Sequence, residues 1–161
     1  MNYIFEVMTQ EQAEEIAYTW HYRGKYSFYD MEADQEDLAE FLDPKERGET
    51  TFTVCENNEI VGFFSFNKID IHTVDIGLGM EPNLTGKGLG LGLAFIKAGL
   101  EFCVKKYQPK YITLSVATFN ERAIKVYKKA GFEAVGTFVQ ETNGSCFEFL
   151  RMIYSTSCSS S

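Results

Sequence analysis

A chain of 161 residues with a formal net charge of −8 fits a single domain with a sizeable core, and it lacks the basic face with which a general nucleic-acid binder neutralises phosphates. Hydrophobic residues at 45% and charged residues at 24% are ordinary for a soluble globular protein, and no apolar run is long enough to span a bilayer. Cys55, Cys103, Cys146 and Cys158 form no CxxC pair, and His21 and His72 stand apart from other ligand types, so no metal site is expected. Residues 1–15 carry neither a basic start nor a long apolar stretch, so a signal peptide is not expected and a reduced cytoplasm is.

In chain order, residues 2–8 read as a strand, with Tyr3, Phe5 and Val7 on one face and Ile4 on the other. Thr9 and Gln12 make a capping box that opens a helix running to about residue 22. A second helix follows Asp34, with Leu38, Phe41 and Leu42 as its apolar face, and Pro44 and Gly48 end it. Residues 51–54 and 60–66 are aromatic and β-branched runs joined by Asn57-Asn58, a hairpin signal. Residues 73–80 form another strand. From residue 88 to about 107, Leu89, Leu93, Ile96, Leu100 and Cys103 recur at helical spacing. Residues 111–116 return as a buried strand, and 121–130 form a short helix closed by Gly131. Residues 133–140 and 146–153 pair as a hairpin around Asn143-Gly144. The Ser-rich residues 155–161 read as an unstructured tail. Residues 1–154 are thus expected to be one domain, a mixed α/β single sheet in the order β-α-α-β-β-β-α-β-α-β-β.

The segment Gly86-Lys87-Gly88-Leu89-Gly90-Leu91-Gly92 lies between a strand and a long helix. Glycines let bare backbone N–H groups approach a ligand, and a helix N-terminus adds unpaired N–H groups that suit a phosphate. Lys87 adds a full charge. Walker A needs Ser or Thr after its Lys, where Gly88 stands; the dinucleotide fingerprint needs a third glycine where Leu91 stands. Taken alone, the glycines are equally compatible with close packing of the helix against the sheet.

The loop has company. Asp75-Ile76-Gly77-Leu78-Gly79-Met80-Glu81-Pro82 followed by Thr85-Gly86-Lys87-Gly88-Leu89-Gly90 resembles the acetyl-CoA motif of the GCN5-related N-acetyltransferases (GNAT). Downstream, Leu114-Ser115-Val116 with Asn120, Ala123, Tyr127, Lys128 and Gly131-Phe132 resembles the next motif of that family. The resemblance implies an acyl-CoA N-acyltransferase fold and acetyl-CoA as co-substrate. By it, backbone amides of Gly86, Lys87, Gly88, Leu89 and Gly90 would wrap the pyrophosphate. Leu78, Gly79 and Met80 would pair with the pantetheine arm like an added strand, Asn120 would hydrogen-bond near it, and Lys128 or Lys129 would lie near the 3′-phosphate. Thr85 stands where the family usually has Gln or Arg, which removes a charge but not the backbone cradle.

Acetyl transfer to an amine needs a neutral amine, a stabilised carbonyl oxygen and a proton for the departing thiolate. The resemblance gives the last role to Tyr127, seven residues from Asn120 and so on the same helix face; the alternative is a helix N-cap at Asn120 and a core aromatic at Tyr127. The N–H of Met80 would polarise the thioester carbonyl. Asp75 is a candidate base acting through water, with a solvent-facing or ion-paired strand residue as the equal alternative. Glu81, before Pro82, reads more readily as a turn residue, and Cys103 as core. Residues 25–32 border the acceptor in this family; Tyr26, Phe28 and Tyr29 supply an aromatic wall, beside acids at Asp30, Glu32, Asp34, Glu36 and Asp37 that would meet an ammonium or serve the dipole of the following helix. The expected activity is transfer of acetyl from acetyl-CoA to a primary amine, on a small molecule or a peptide, by direct attack in a ternary complex. The alternatives are a cofactor-sensing module and an enzyme acting on a protein N-terminus or lysine; a homodimer through the last strands is a further expectation.

Overall fold

A computed structural model describes residues 2–85, 90–142 and 144–156. Its strands are β1 (Ile4–Val7), β2 (Thr51–Glu56), β3 (Glu59–Lys68), β4 (Thr73–Met80), β5 (Tyr111–Ala117), β6 (Glu133–Thr142) and β7 (Ser145–Ser155). The helices are α1 (Gln10–Thr19), α2 (Gln35–Leu42), α3 (Pro44–Arg47), α4 (Leu91–Tyr107) and α5 (Glu121–Ala130), with 3-10 turns at Gly24–Tyr29, Met31–Ala33 and Pro82–Leu84. The strands form one sheet in the order β1-β2-β3-β4-β5-β7-β6, antiparallel except for β4 beside β5. The expected order of major elements is present.

Strand alternation sends neighbouring side chains to opposite faces, so the sheet carries two cores. Phe64 and Phe66 of β3 point to one face, where they meet Phe95, Ile96, Leu100 and Cys103 of α4. Gly99 makes the close approach possible, because a Cβ built there overlaps the Phe64 ring. Phe63 points the other way, into a smaller cluster with Met8, Ala13, Ile16 and Trp20 that seats α1. Cys103 is fully buried, as its place in the apolar stripe of α4 implies.

Several boundaries differ from expectation for local reasons. The capping box at Thr9 and Gln12 is present, yet α1 stops at Thr19: Trp20 is extended and its indole is buried near Phe63. Pro44 opens α3 instead of closing α2, because it occupies the first helical position while Asp43 Oδ1 accepts from Lys45 N–H at 2.9 Å. Asn57 and Asn58 both have positive φ, as a two-residue hairpin turn demands. The last strands run longer than read. Ser155, assigned to the tail, pairs with Tyr111 in the sheet, and Thr156 Oγ1 donates to Pro109 O at 2.8 Å. Among the described residues no helix is long and apolar enough to cross a membrane.

Candidate active site

The site begins where two strands part. β4 and β5 pair only from Thr73 with Tyr111 to Asp75 with Thr113. Beyond that β4 stays with β3, while β5 stays with β7 as far as Ala117. The splay opens a cavity of about 970 Å³, lined on one side by Leu78, Gly79 and Met80 and on the other by Ser115 and Val116. Glu81 N–H donates to Val61 O at 2.9 Å, on the β3 side. By strand alternation the amides of Leu78 and Met80 then face the splay, the edge an extended ligand arm would pair with.

At one end of the cavity stands the N-terminus of α4. Gly90 is its N-cap, in the left-handed region at φ +71° with no side-chain cap, and its carbonyl accepts the helix bond from Ala94 N–H at 3.1 Å. Among the described residues no side chain caps the first N–H groups of α4, the end of a helix that suits an anion. The expected cradle residues Gly86, Lys87, Gly88 and Leu89 lie outside the described residues. Thr85 turns its hydroxyl onto its own turn, donating to Pro82 O at 2.7 Å. Glu81 does the same work of turn-making, accepting from Asn83 N–H at 3.1 Å.

The helix α5 carries Asn120 and Tyr127 on the cavity side. Asn120 is its N-cap: Oδ1 accepts from Ala123 N–H at 3.1 Å, and Nδ2 donates to Tyr29 Oη at 3.2 Å. Tyr127 stands edge-on to Phe132, ring centres 5.9 Å apart. Burial, and then the nearby Tyr29, raise its pKa above the ordinary tyrosine value, so the hydroxyl keeps its proton. Tyr29 is raised by burial as well, against the lowering pull of its bond from Asn120.

Of the nominated residues within the description, Leu78, Gly79, Met80, Gly90, Asn120, Tyr127, Tyr26, Phe28 and Tyr29 all line this one cavity. Asp75 does not. It lies where β4 and β5 are still paired, and its Oδ1 accepts from Thr113 Oγ1 at 2.7 Å.

The wall formed by Tyr26, Phe28 and Tyr29 is more aromatic than the sequence segment implied. Phe28 packs against Phe119 at 5.4 Å, Phe147 at 4.6 Å and Phe149 at 6.1 Å, bringing together the 3-10 turn, the start of α5 and β7. The Arg122 guanidinium lies 4.2 Å over the Tyr26 ring, so that face already holds a cation of the chain itself. The nearby acids divide by role. Asp34 caps α2, accepting from Glu36 and Asp37 N–H at 3.0 Å each. Asp37 and Glu40 line the cavity, and Asp37 is raised above the usual carboxylate range by burial first and then by Asp34, Glu40 and Glu36. Asp30 accepts from Tyr22 N–H at 2.7 Å, with its other oxygen 3.1 Å from His21 Nδ1.

Tyr22, Arg122, Phe119 and Phe149 were not singled out by motif or periodicity. Tyr22 on a loop, Arg122 on α5 and Phe149 on β7 line the cavity, and Phe119 packs against Tyr26, Phe28 and Tyr29 beside it.

Splayed parallel strands, the N-terminus of α4 at Gly90 and Tyr127 of α5 thus border one cavity. The acetyltransferase (GNAT) family model matches residues 11–132, and the chain belongs to that family. Over 90 residues it is 32% identical to the L-amino acid N-acetyltransferase AaaT of Escherichia coli (strain K12), covering 52% of each chain; the chain thus spans about half the length of that curated relative. Among solved structures, spermidine N-acetyltransferase from Vibrio cholerae in complex with CoA and spermine superposes with a TM-score of 0.72 at 19% identity, over 95% of both chains. The structure of AAC(6')-Ib in complex with ribostamycin and coenzyme A gives 0.72 at 20% identity, over 96% of this chain and 94% of that one. These two likenesses establish the fold.

Proposed function

We propose that this protein transfers the acetyl group of acetyl-CoA to a primary amine, both substrates being bound together in the splay between β4 and β5. The observation that carries the reading is one cavity lined together by Leu78 and Met80 of β4, by Gly90 and Leu91 at the N-terminus of α4, and by Tyr127 of α5. The residues fit a pantetheine arm and its pyrophosphate. Strand amides of Leu78 and Met80 with no partner among the described residues would face the arm, and the N-terminus of α4, capped by Gly90 with no side-chain bond, would meet the phosphates. Family membership, the N-acetyltransferase activities named for the amino-acid and spermidine relatives, and the complex of AAC(6')-Ib with ribostamycin and coenzyme A support the same chemistry.

The acetyl thioester supplies an activated carbonyl and a thiolate leaving group. The acceptor ammonium first gives a proton to water, and the neutral nitrogen then attacks the carbonyl carbon. A C–N bond forms as the carbonyl π pair moves onto oxygen, where the Met80 N–H stabilises the charge. When that pair returns, the C–S bond breaks and Tyr127 donates its proton to sulfur. The nitrogen loses its second proton, through water, to the tyrosinate, restoring the phenol. The sum is amine plus acetyl-CoA giving amide plus free thiol. Asp75 takes no part in this reading; held by Thr113 away from the cavity, it is a strand residue.

The test is thiol release from acetyl-CoA against amino acids, polyamines, aminoglycosides and short peptides. Release with one class supports the enzyme and names its acceptor. Silence across the panel, with acetyl-CoA still binding, replaces it with a cofactor-sensing module.

A further inference from the structure

The peptide that joins Met80 to Glu81 is held from both ends. Its N–H donates to Val61 O at 2.9 Å, and its carbonyl, on Met80, accepts from Tyr22 Oη at 2.6 Å. At this point β4 has no β5 partner, because that pairing ends at Asp75 and Thr113. The splayed side therefore lacks the ladder bond that sets the plane of a strand's last peptides. Tyr22 supplies the missing bond from 58 positions away in the chain.

Tyr22 is itself fixed. Its N–H donates to Asp30 Oδ1 at 2.7 Å, and Asp30 ends the 3-10 turn that carries Tyr26, Phe28 and Tyr29 along the cavity. Burial, then the charges of Asp30 and Glu81, raise the phenol's pKa above its ordinary value, so it remains a donor at any working pH. Two hydrogen bonds through Tyr22 thus link Asp30, at the end of that turn, to the end of β4.

We infer that Tyr22 is a positioning residue for acetyl transfer, holding the Met80 peptide in line and coupling it to the segment that borders the acceptor; this rests on the acetyltransferase reading above. Without the bond, the Met80 oxygen would be an unpaired acceptor beside the incoming thioester carbonyl. A rotation to find another donor would change ψ of Met80 and disturb the strand end from which its own N–H projects. Tyr22 touches no reacting atom, so its loss should show in turnover more than in binding.

The experiment uses Tyr22→Phe in the intact chain, which keeps the ring. Steady-state kinetics with each substrate varied should show kcat lower by about tenfold, less than the on-the-order-of hundredfold loss that follows removal of an oxyanion donor itself. KM for acetyl-CoA should stay close to the parent's, and the Tm should fall only by the few degrees that one lost hydrogen bond carries. Asp30→Asn, which still offers an oxygen to Tyr22 N–H, should lower kcat by a smaller factor. Independently of turnover, the amide resonances of Met80 and Glu81 should shift in the ligand-free Tyr22→Phe protein. Unmoved amides, or an unchanged kcat in an active enzyme, would overturn the inference while leaving the acetyltransferase reading intact. A lower Tm with kcat unchanged would make Tyr22 merely structural. Absence of thiol release from the parent protein would overturn the reading, and the inference with it.

Discussion

Asn120 ties the start of α5 to the aromatic wall of the cavity: its Nδ2 donates to Tyr29 Oη at 3.2 Å across 91 positions, while its Oδ1 caps the helix through Ala123 N–H. The two bonds can be separated. Asn120→Asp keeps the cap oxygen and loses the donor, so the Tm should hold while the acceptor KM rises several-fold. Asn120→Ala loses both, and its thermal or denaturant unfolding should report a loss of about 1 kcal/mol. An Asp variant with the parent's KM would leave the Tyr29 contact without a role in acceptor binding.

Tyr127→Phe removes the proton for the leaving sulfur and nothing of the ring. The expected loss in kcat is on the order of 10²-fold, with acetyl-CoA affinity nearly unchanged by titration calorimetry. Because the raised pKa keeps the phenol protonated, the parent's rate should show no fall from Tyr127 ionisation as pH approaches 10. A large drop in affinity would mean that the hydroxyl binds the cofactor instead.

Alkaline pH should destabilise the fold in a defined window. Burial pushes the Cys103 thiol from its ordinary 9.0 up to about 12, and Tyr22 and Tyr127 are raised above their ordinary 10.0. The unfolded chain therefore releases these protons first. Their contribution is fully present below about pH 9 and is lost as pH rises through the folded values. Urea midpoints measured between pH 7 and 11 should be flat at the start and fall beyond 9. A midpoint still flat at pH 11 would contradict the burial of these groups.

Gly99→Ala should cost about 1–3 kcal/mol in denaturant unfolding, since the added methyl overlaps the Phe64 ring and α4 must move off the sheet. Gly136→Ala is the control: a Cβ there meets nothing within 4 Å, and its effect should be small.

His21 should titrate above its ordinary 6.5 in NMR, because Asp30 accepts from its ring and favours the imidazolium. Asp30→Asn should bring it back toward that value. Any stability this pair adds is present below the unfolded pKa and disappears as pH rises through the folded one.

Much of the architecture was legible because local chemistry writes it. The Thr9 and Gln12 capping box, the Asn57-Asn58 turn, and the helical spacing of Ile96, Leu100 and Cys103 act within a few residues of themselves. The boundaries that slipped were decided by packing or by a competing cap: the Trp20 indole ended α1 early, and Asp43 made Pro44 a beginning. Asp75 read as well as a base as it did a strand residue, since nothing within the segment reveals that Thr113 will lie beside it.

The sequence by itself determined the order of elements, the glycine-rich loop before a long helix, and with them the family. The tertiary structure alone decided what faces the cavity. Tyr22 on the Met80 carbonyl, Asn120 on Tyr29 and Arg122 on Tyr26 are contacts between distant segments. Their partners are chosen by where β4 and β5 part. Periodicity and capping are short-range effects that a linear pattern records. Contacts across a splay depend on strand order and register, which come into being only when the sheet assembles.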